Sequence, residues 1–202
     1  MSPGALARLR QSSAIVALAG VFMASLALGS LGLAPAGAGT RFSAAAQALE
    51  DAAGEAPLRE LVAGDLAPEF DLPDIDGNRV ALAPARDRET VLVVVWAVWC
   101  PPCIREFKEL KRLHREFAGR GLRILAVAVR SNQSIEEVRG FARDLQVPFP
   151  VLYDESDSVA QRYGVAFIPS NFLIDGAGVV RLATSSLPAD IDARIEDVLA
   201  GS

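Results

Sequence analysis

The pattern of apolar positions predicts a sheet of buried strands in the second two thirds of the chain. Residues 91–97 are continuously apolar and rich in valine, as in a strand covered on both faces. Further buried strands are predicted over 122–129 and 147–153. Two shorter strands, over 66–72 and 79–82, flank an Asp-Gly-Asn turn at 76–78, and a hairpin is predicted over 170–183.

Segments of helical periodicity separate these strands. The first predicted helix begins at Pro101 and ends near Gly119. Ser134, with Glu137 three residues later, is a capping-box pattern that begins a second helix. Two further helices are predicted over 156–163 and 190–199. The order β-β-β-α-β-α-β-α-β-β-α predicts an α/β fold with a mixed sheet and helices on both faces.

The first 40 residues differ from the rest because their only charged residues are Arg8 and Arg10. The apolar stretch 14–38 is long enough to cross a bilayer, which takes about 20 residues. We therefore divide the chain into a membrane anchor or signal peptide (1–40), an Ala- and Glu-rich tether (41–60) and a folded domain (61–202).

Two interpretations of the N-terminal segment remain open. Small residues around 34–38 resemble a signal-peptide cleavage site, whereas the length of the apolar run favours a retained anchor. The basic side should stay in the cytoplasm, so either interpretation exports the domain. The prediction is an inner-membrane protein with a periplasmic domain, the alternative being secretion to the periplasm after cleavage.

Both cysteines of the chain, Cys100 and Cys103, follow the predicted strand 91–97 directly. Residues three apart in a helical turn lie on one face, close enough for a disulfide. Pro101 suits the first helical position, and Cys100 then lies at a helix N-terminus, where a thiolate is stabilised. The pattern indicates a redox dithiol, with Cys103 the more shielded sulfur.

Other functions of the cysteine pair fit the sequence less well than redox exchange. A structural disulfide over three residues would close a very small loop and stabilise little. Structural zinc takes four ligands, and beyond the cysteines the chain offers only His114, so no metal site is predicted. The formal net charge of −5 gives no indication of nucleic-acid binding, which requires a basic face.

These motifs together resemble the thioredoxin superfamily, and more closely the membrane-tethered, extracytoplasmic TlpA, ResA and CcmG group of bacteria. The resemblance covers about residues 63–185 and has three parts. They are the entry segment 64–70 with Asp76-Gly77, the motif Trp-Ala-Val-Trp-Cys-Pro-Pro-Cys at 96–103, and Tyr-Gly-Val-Ala-Phe-Ile-Pro at 163–169 with Phe-Leu-Ile-Asp at 172–175.

The resemblance implies a partner-binding surface around the dithiol. It places Ile168 and Pro169 opposite the cysteines, with the Ile168–Pro169 bond in cis, so that the Ile168 backbone pairs with an extended partner segment. The alternative is an ordinary proline at a strand entry. Trp99, Pro101 and Pro102 are assigned to the same surface, Trp99 as a shield of the disulfide or as a packing residue.

Glu106, three residues beyond Cys103, stands where relatives carry an acid near the active site. It is a candidate to relay a proton to the leaving thiol. The alternative is a solvated first-turn glutamate that interacts with the helix dipole. Trp96 is assigned to the core and His114 to helix packing or the surface, not to base catalysis.

Three positions depart from the family pattern. Lys108 replaces a helix proline that often kinks the active-site helix. Phe167 replaces a glycine of many relatives and alters the expected partner groove. Ser170 replaces the threonine that often follows the cis-proline.

The function expected from the resemblance is thiol–disulfide exchange, with Cys100 as nucleophile and Cys103 resolving the mixed disulfide. The family's usual role is reductive, in cytochrome c maturation or copper-site assembly, with protein disulfides as substrates, a membrane thiol electron donor and no organic cofactor. The alternatives are a thiol oxidant, a thiol peroxidase or a Cu(I) carrier that uses the two cysteines, with or without His114. A peroxidase is disfavoured because the peroxidatic motif needs Thr or Ser three residues before the cysteine and Pro seven residues before it. In this chain those positions are Ala97 and Val93.

Overall fold

The computed structural model describes residues 59–82 and 89–201, and the elements within them follow the predicted order. The strands are β1 (Phe70–Pro73), β2 (Arg79–Leu82), β3 (Thr90–Trp96), β4 (Leu122–Val129), β5 (Val151–Asp154), β6 (Ser170–Ile174) and β7 (Val180–Thr184). The helices are α1 (Pro101–Phe117), α2 (Ile135–Asp144), α3 (Ser158–Arg162) and α4 (Ile191–Gly201). The predicted anchor and all of the tether before Arg59 lie outside the described residues.

Five of the strands form one mixed sheet in the order β5-β4-β3-β6-β7. The central strand β3 is parallel to β4 and antiparallel to β6. Every residue of β3 is buried, as expected for a strand with helices on both faces of its sheet. The predicted fold class is confirmed, and β1 and β2 form a separate two-stranded antiparallel sheet.

Two strands begin later than the sequence pattern predicted, and proline is the reason in both. The strand predicted from residue 147 begins at Val151, because Pro148 and Pro150 have no N–H for the ladder. The strand predicted from Leu66 begins at Phe70. Pro68 precedes it, and Leu66 makes only an isolated bridge to Val179.

The core beside the sheet contains a cluster of aromatic rings. Trp96 is fully buried and packs edge-on against Phe107, with ring centroids 4.6 Å apart. Phe149 stacks on Phe107 and also contacts His114, whose ring centroid lies 5.7 Å away. The assignments of Trp96 to the core and His114 to helix packing are confirmed.

Helix ends and helix continuity follow local signals. Ser134 and Glu137 form the predicted capping box at the start of α2, each side chain accepting a hydrogen bond from the other residue's backbone N–H. Helix α1 runs without interruption through Lys108, where relatives often carry proline. Among the residues that the structure describes, no helix is both long and apolar enough to cross a membrane.

Candidate active site

The two cysteines form a disulfide at the junction of β3 and α1. Their Cα atoms are 5.3 Å apart. Cys100 is the N-cap of α1, and its Sγ accepts a hydrogen bond of 3.3 Å from the Cys103 N–H. Pro101 and Pro102 follow at the start of the helix, where no donor is needed. In the reduced state the same N–H and the helix dipole stabilise a Cys100 thiolate.

The Ile168–Pro169 loop lies directly against this disulfide. The peptide bond between the two residues is cis, as the resemblance implied. The Ile168 carbonyl oxygen is 3.6 Å from the Cys100 Sγ. Ile168 lies outside the strands, and no acceptor for its backbone N–H is found among the described residues. This group is therefore free to pair with an incoming chain.

Trp99 and Phe167 flank an apolar groove next to the Ile168 loop. The groove has a volume of about 530 Å³, and Val129, Ala160 and Val165 contribute to its lining. Phe167 is 80% exposed and Trp99 is 46% exposed, an unusual degree for such large apolar side chains. Pro101 and Pro102 are also exposed. Of the residues assigned to partner binding, Trp99 and Ile168 line this groove, Pro101 and Pro102 are exposed next to Cys100 in the chain, and Pro169 is buried.

The loop that follows β4 holds the segment before Cys100 in place. The Trp99 indole N–H donates a 2.7 Å hydrogen bond to the Ser131 carbonyl oxygen. The side-chain oxygen of the buried Gln133 accepts from the Val98 N–H at 2.7 Å. The Tyr153 hydroxyl donates to the Gln133 carbonyl oxygen at 3.0 Å, and burial raises the pKa of Tyr153.

Glu106 is half-buried and faces inward, so it is not the solvated first-turn glutamate of the alternative interpretation. One carboxylate oxygen accepts a 3.2 Å hydrogen bond from the side-chain amide of Asn171. The other accepts a 2.9 Å hydrogen bond from the Leu187 N–H. The carboxylate is therefore held by two donors, one turn beyond Cys103 on the same helix.

Sequence reasoning missed four residues that shape this site: Ser131, Gln133, Asn171 and Leu187. Each contacts an active-site residue through a loop or strand distant in sequence, and two of them act through backbone groups. No local motif marks such contacts. For Gln133, the only sequence signal is its place before the capping box of α2, which anchors the loop.

The Cu(I) carrier hypothesis used the two cysteines, with His114 as an optional third ligand. His114 lies in the last turn of α1, against Phe149, whereas the cysteines lie at the first turn. Among residues 59–82 and 89–201, no three His, Cys, Asp or Glu side chains are grouped so that they could hold a metal ion.

A mixed sheet, a disulfide at a helix N-terminus and a facing cis-proline define a thioredoxin-like protein. A putative thiol:disulfide interchange protein DsbE from Chlorobium tepidum has the same fold, with a TM-score of 0.62 and 30% identity. The similarity covers 69% of this chain and 99% of that one.

The sequence comparison is more specific: the chain belongs to the AhpC/TSA family, whose model matches residues 63–183. It is 33% identical over 137 residues to the thiol-disulfide oxidoreductase ResA of Geobacillus thermodenitrificans, covering 67% of this chain and 77% of that protein. It is 34% identical over 125 residues to ResA of Bacillus subtilis, a match that covers 61% of this chain and 68% of that protein. The chain is a thiol–disulfide oxidoreductase of the ResA and DsbE type.

Proposed function

We propose that this protein reduces disulfides of partner proteins outside the cytoplasm. The observation that carries the proposal is the position of Cys100, at the N-terminus of α1 and 3.6 Å from the Ile168 carbonyl oxygen. A partner strand that pairs with the free Ile168 N–H would bring its own disulfide to this sulfur.

The exchange takes place in two steps. The Cys100 thiolate attacks one sulfur of the partner disulfide, forming a mixed disulfide and releasing the partner's other sulfur as a thiolate. Cys103 then attacks Cys100, which releases the second partner sulfur and leaves the Cys100–Cys103 disulfide. The structure describes this oxidised product, in which the cysteines are joined.

The proposed substrates are thiols that must stay reduced in order to bind a metal or haem, as in cytochrome c maturation or copper-site assembly. Electrons would come from a membrane thiol donor, since the disulfide must be reduced again after each cycle. The similarity to the thiol-disulfide oxidoreductase ResA supports protein disulfides as substrates, and the family resemblance suggests the haem or metal pathway.

The proposed location is the periplasmic face of the inner membrane, with residues 1–40 as an anchor or a cleaved signal peptide. Arg8 and Arg10 followed by an uncharged segment support this orientation. Cell fractionation with protease protection tests it. A chain found in the cytosolic fraction would contradict the proposal.

The reduction potential of the Cys100–Cys103 pair tests the direction of electron flow. We expect a value near or below that of thioredoxin, about −270 mV. Equilibration of the full chain with glutathione or dithiothreitol buffers, followed by thiol alkylation, measures it. A value near that of the oxidant DsbA, about −120 mV, would make this protein a thiol oxidant and reverse the proposed direction.

A further inference from the structure

The side chain of Asn171 is buried next to the Glu106 carboxylate, beside the active site. Asn171 has no exposed surface and lies in β6, two residues after Pro169. Its amide nitrogen donates to one Glu106 oxygen at 3.2 Å, while the Leu187 N–H donates to the other at 2.9 Å. Both donors fit an ionised carboxylate, which can only accept hydrogen bonds.

The amide oxygen of Asn171 is buried and has no donor among the described residues. Buried polar atoms are nearly always hydrogen-bonded, so an orphaned one calls for an explanation. Because the Glu106 carboxylate is the one hydrogen-bond partner found for the Asn171 amide group in the described part of the chain, Glu106 determines which way that amide faces. Turning the amide by half a rotation would exchange an unpartnered oxygen for an unpartnered nitrogen, at a comparable cost.

We infer that Asn171 is a positioning residue that holds Glu106 in both of its protonation states. It donates to the carboxylate through its nitrogen. After the amide has turned, it accepts from the protonated carboxyl through its oxygen. A carboxyl that relays protons needs a hydrogen-bond donor when it is ionised and an acceptor when it is protonated. A buried amide with no other partner can supply either one by turning.

This inference rests on the resolving step of the proposed exchange. While Cys100 holds the partner in a mixed disulfide, the Cys103 thiol gives its proton to the Glu106 carboxylate, directly or through one water. Cys103 then forms the bond to Cys100, and the partner's sulfur leaves with the electron pair of the broken bond. The protein dithiol is oxidised, the partner is reduced, and the proton passes on to the leaving thiolate.

Glu106 takes part in none of the ion pairs found among the described residues, and those on α1 join Arg112 to Glu109, Glu116 and Asp192. Strand β6 carries no charged side chain. In the loop that leads to α4, Asp190 pairs with Arg194 at 3.0 Å. On α1, Arg105 and Lys108 are exposed. The hydrogen-bond donors to the Glu106 carboxylate found among these residues are therefore the Asn171 amide and the Leu187 N–H.

The test measures the resolving step across pH. The reduced full chain is mixed with glutathione disulfide and quenched with acid at intervals, and mass spectrometry follows the decay of the mixed disulfide on Cys100. Asn171→Leu removes the amide, and we expect the decay to slow about tenfold, part of the 10²–10⁴-fold effect of a general base. Asn171→Asp keeps the shape but adds a carboxyl that shares a proton with Glu106. In this variant we expect the rate of mixed-disulfide decay to begin rising at a higher pH than in the native protein.

The control is Asn171→Leu in a Glu106→Gln background, where it should not change the rate by more than about twofold. Equal slowing by Asn171→Leu in both backgrounds would show a purely structural role and overturn the inference. An Asn171→Asp profile that coincides with the native one would also overturn it, and this isosteric variant decides the question if Asn171→Leu does not fold. The reduction potential tests the proposed function separately, because it does not depend on the rate of resolution.

Discussion

The Cys100 Sγ and the Ile168 carbonyl oxygen lie 3.6 Å apart, although the two residues are 68 positions apart in the chain. This contact places the sulfur at the N-terminus of α1 beside a backbone segment with a free N–H. The nucleophile and the surface that receives the partner are therefore adjacent.

The two cysteines should have different roles in exchange. Cys103→Ser should leave a nucleophile without a resolving thiol, so that mixed disulfides with partner proteins accumulate on Cys100. Cys100→Ser should reduce exchange to the background rate and trap nothing, because the remaining cysteine, Cys103, is the more buried residue, 1% exposed against 4% for Cys100. Non-reducing electrophoresis with mass spectrometry of the trapped species measures both. Trapping by Cys100→Ser would reverse the assignment.

Phe167 should contribute to the recognition of extended partners. With 80% of its surface exposed beside the Ile168 loop, it contributes little to folding. The test substrate is a peptide disulfide that carries an apolar residue next to its cysteine. Phe167→Ala should slow exchange with this peptide by about fivefold, because part of one apolar contact is lost. The rate with glutathione disulfide should be unchanged.

Phe167→Tyr is the matched control, since it keeps the ring and should keep the peptide rate. Chemical denaturation should show less than about 0.5 kcal/mol of change for either variant. Equal slowing of peptide and glutathione reactions by Phe167→Ala would argue for a disturbed active site instead of lost recognition.

Gln133 should stabilise the segment that leads into the active site. Gln133→Leu removes the acceptor of the Val98 N–H, now 2.7 Å away, and leaves a partly buried donor unpaired. We expect a loss of about 1–3 kcal/mol in the free energy of unfolding, measured with urea on the oxidised protein. The exposed Gln161 is the control, because Gln161→Ala should change stability by less than about 0.5 kcal/mol. Similar losses for both variants would contradict the role of Gln133.

Asp175 should make the β6–β7 hairpin sensitive to acid. Burial alone would raise its pKa, but hydrogen bonds from the Val179 N–H, the Arg181 guanidinium and the Ala177 N–H outweigh burial and hold the pKa below its usual value. A folded-state pKa below the unfolded one, about 3.9, gives stability that is present above that value. This stability is lost as pH falls through the folded-state pKa.

Asp175→Asn should therefore lower the free energy of unfolding by about 1–3 kcal/mol at neutral pH. The difference from the native protein should shrink as pH falls below the unfolded-state pKa of about 3.9 and through the lower folded-state pKa. Asp71→Asn serves as the control, because the Asp71–Arg79 ion pair is exposed and should contribute less than about 1 kcal/mol. A difference for Asp175→Asn that stays constant with pH would contradict the prediction.

The sequence by itself determined the order of elements and the position of the reactive pair. The continuous apolar runs that predict strands and the periodicity that predicts helices are local patterns. The capping box at Ser134 and Glu137 is complete within four residues. The placement of Cys100 at a helix N-terminus also follows from neighbouring residues, because a buried strand ends and Pro101 follows. Pro148 and Pro150 are also local signals, and they delay the start of β5 to Val151.

Only the tertiary structure decided how these elements support the chemistry. The Gln133 contact with Val98 joins residues 35 positions apart, and those of Glu106 with Asn171 and Leu187 join residues 65 and 81 positions apart. Hydrogen bonds of this kind depend on where the sheet and its loops bring the backbone, and the residue types themselves are common. The cis bond before Pro169 came from family resemblance, since no local rule specifies it. Periodicity and spacing report local conformation, whereas the partners of a buried carboxylate are known only once the chain has folded around it.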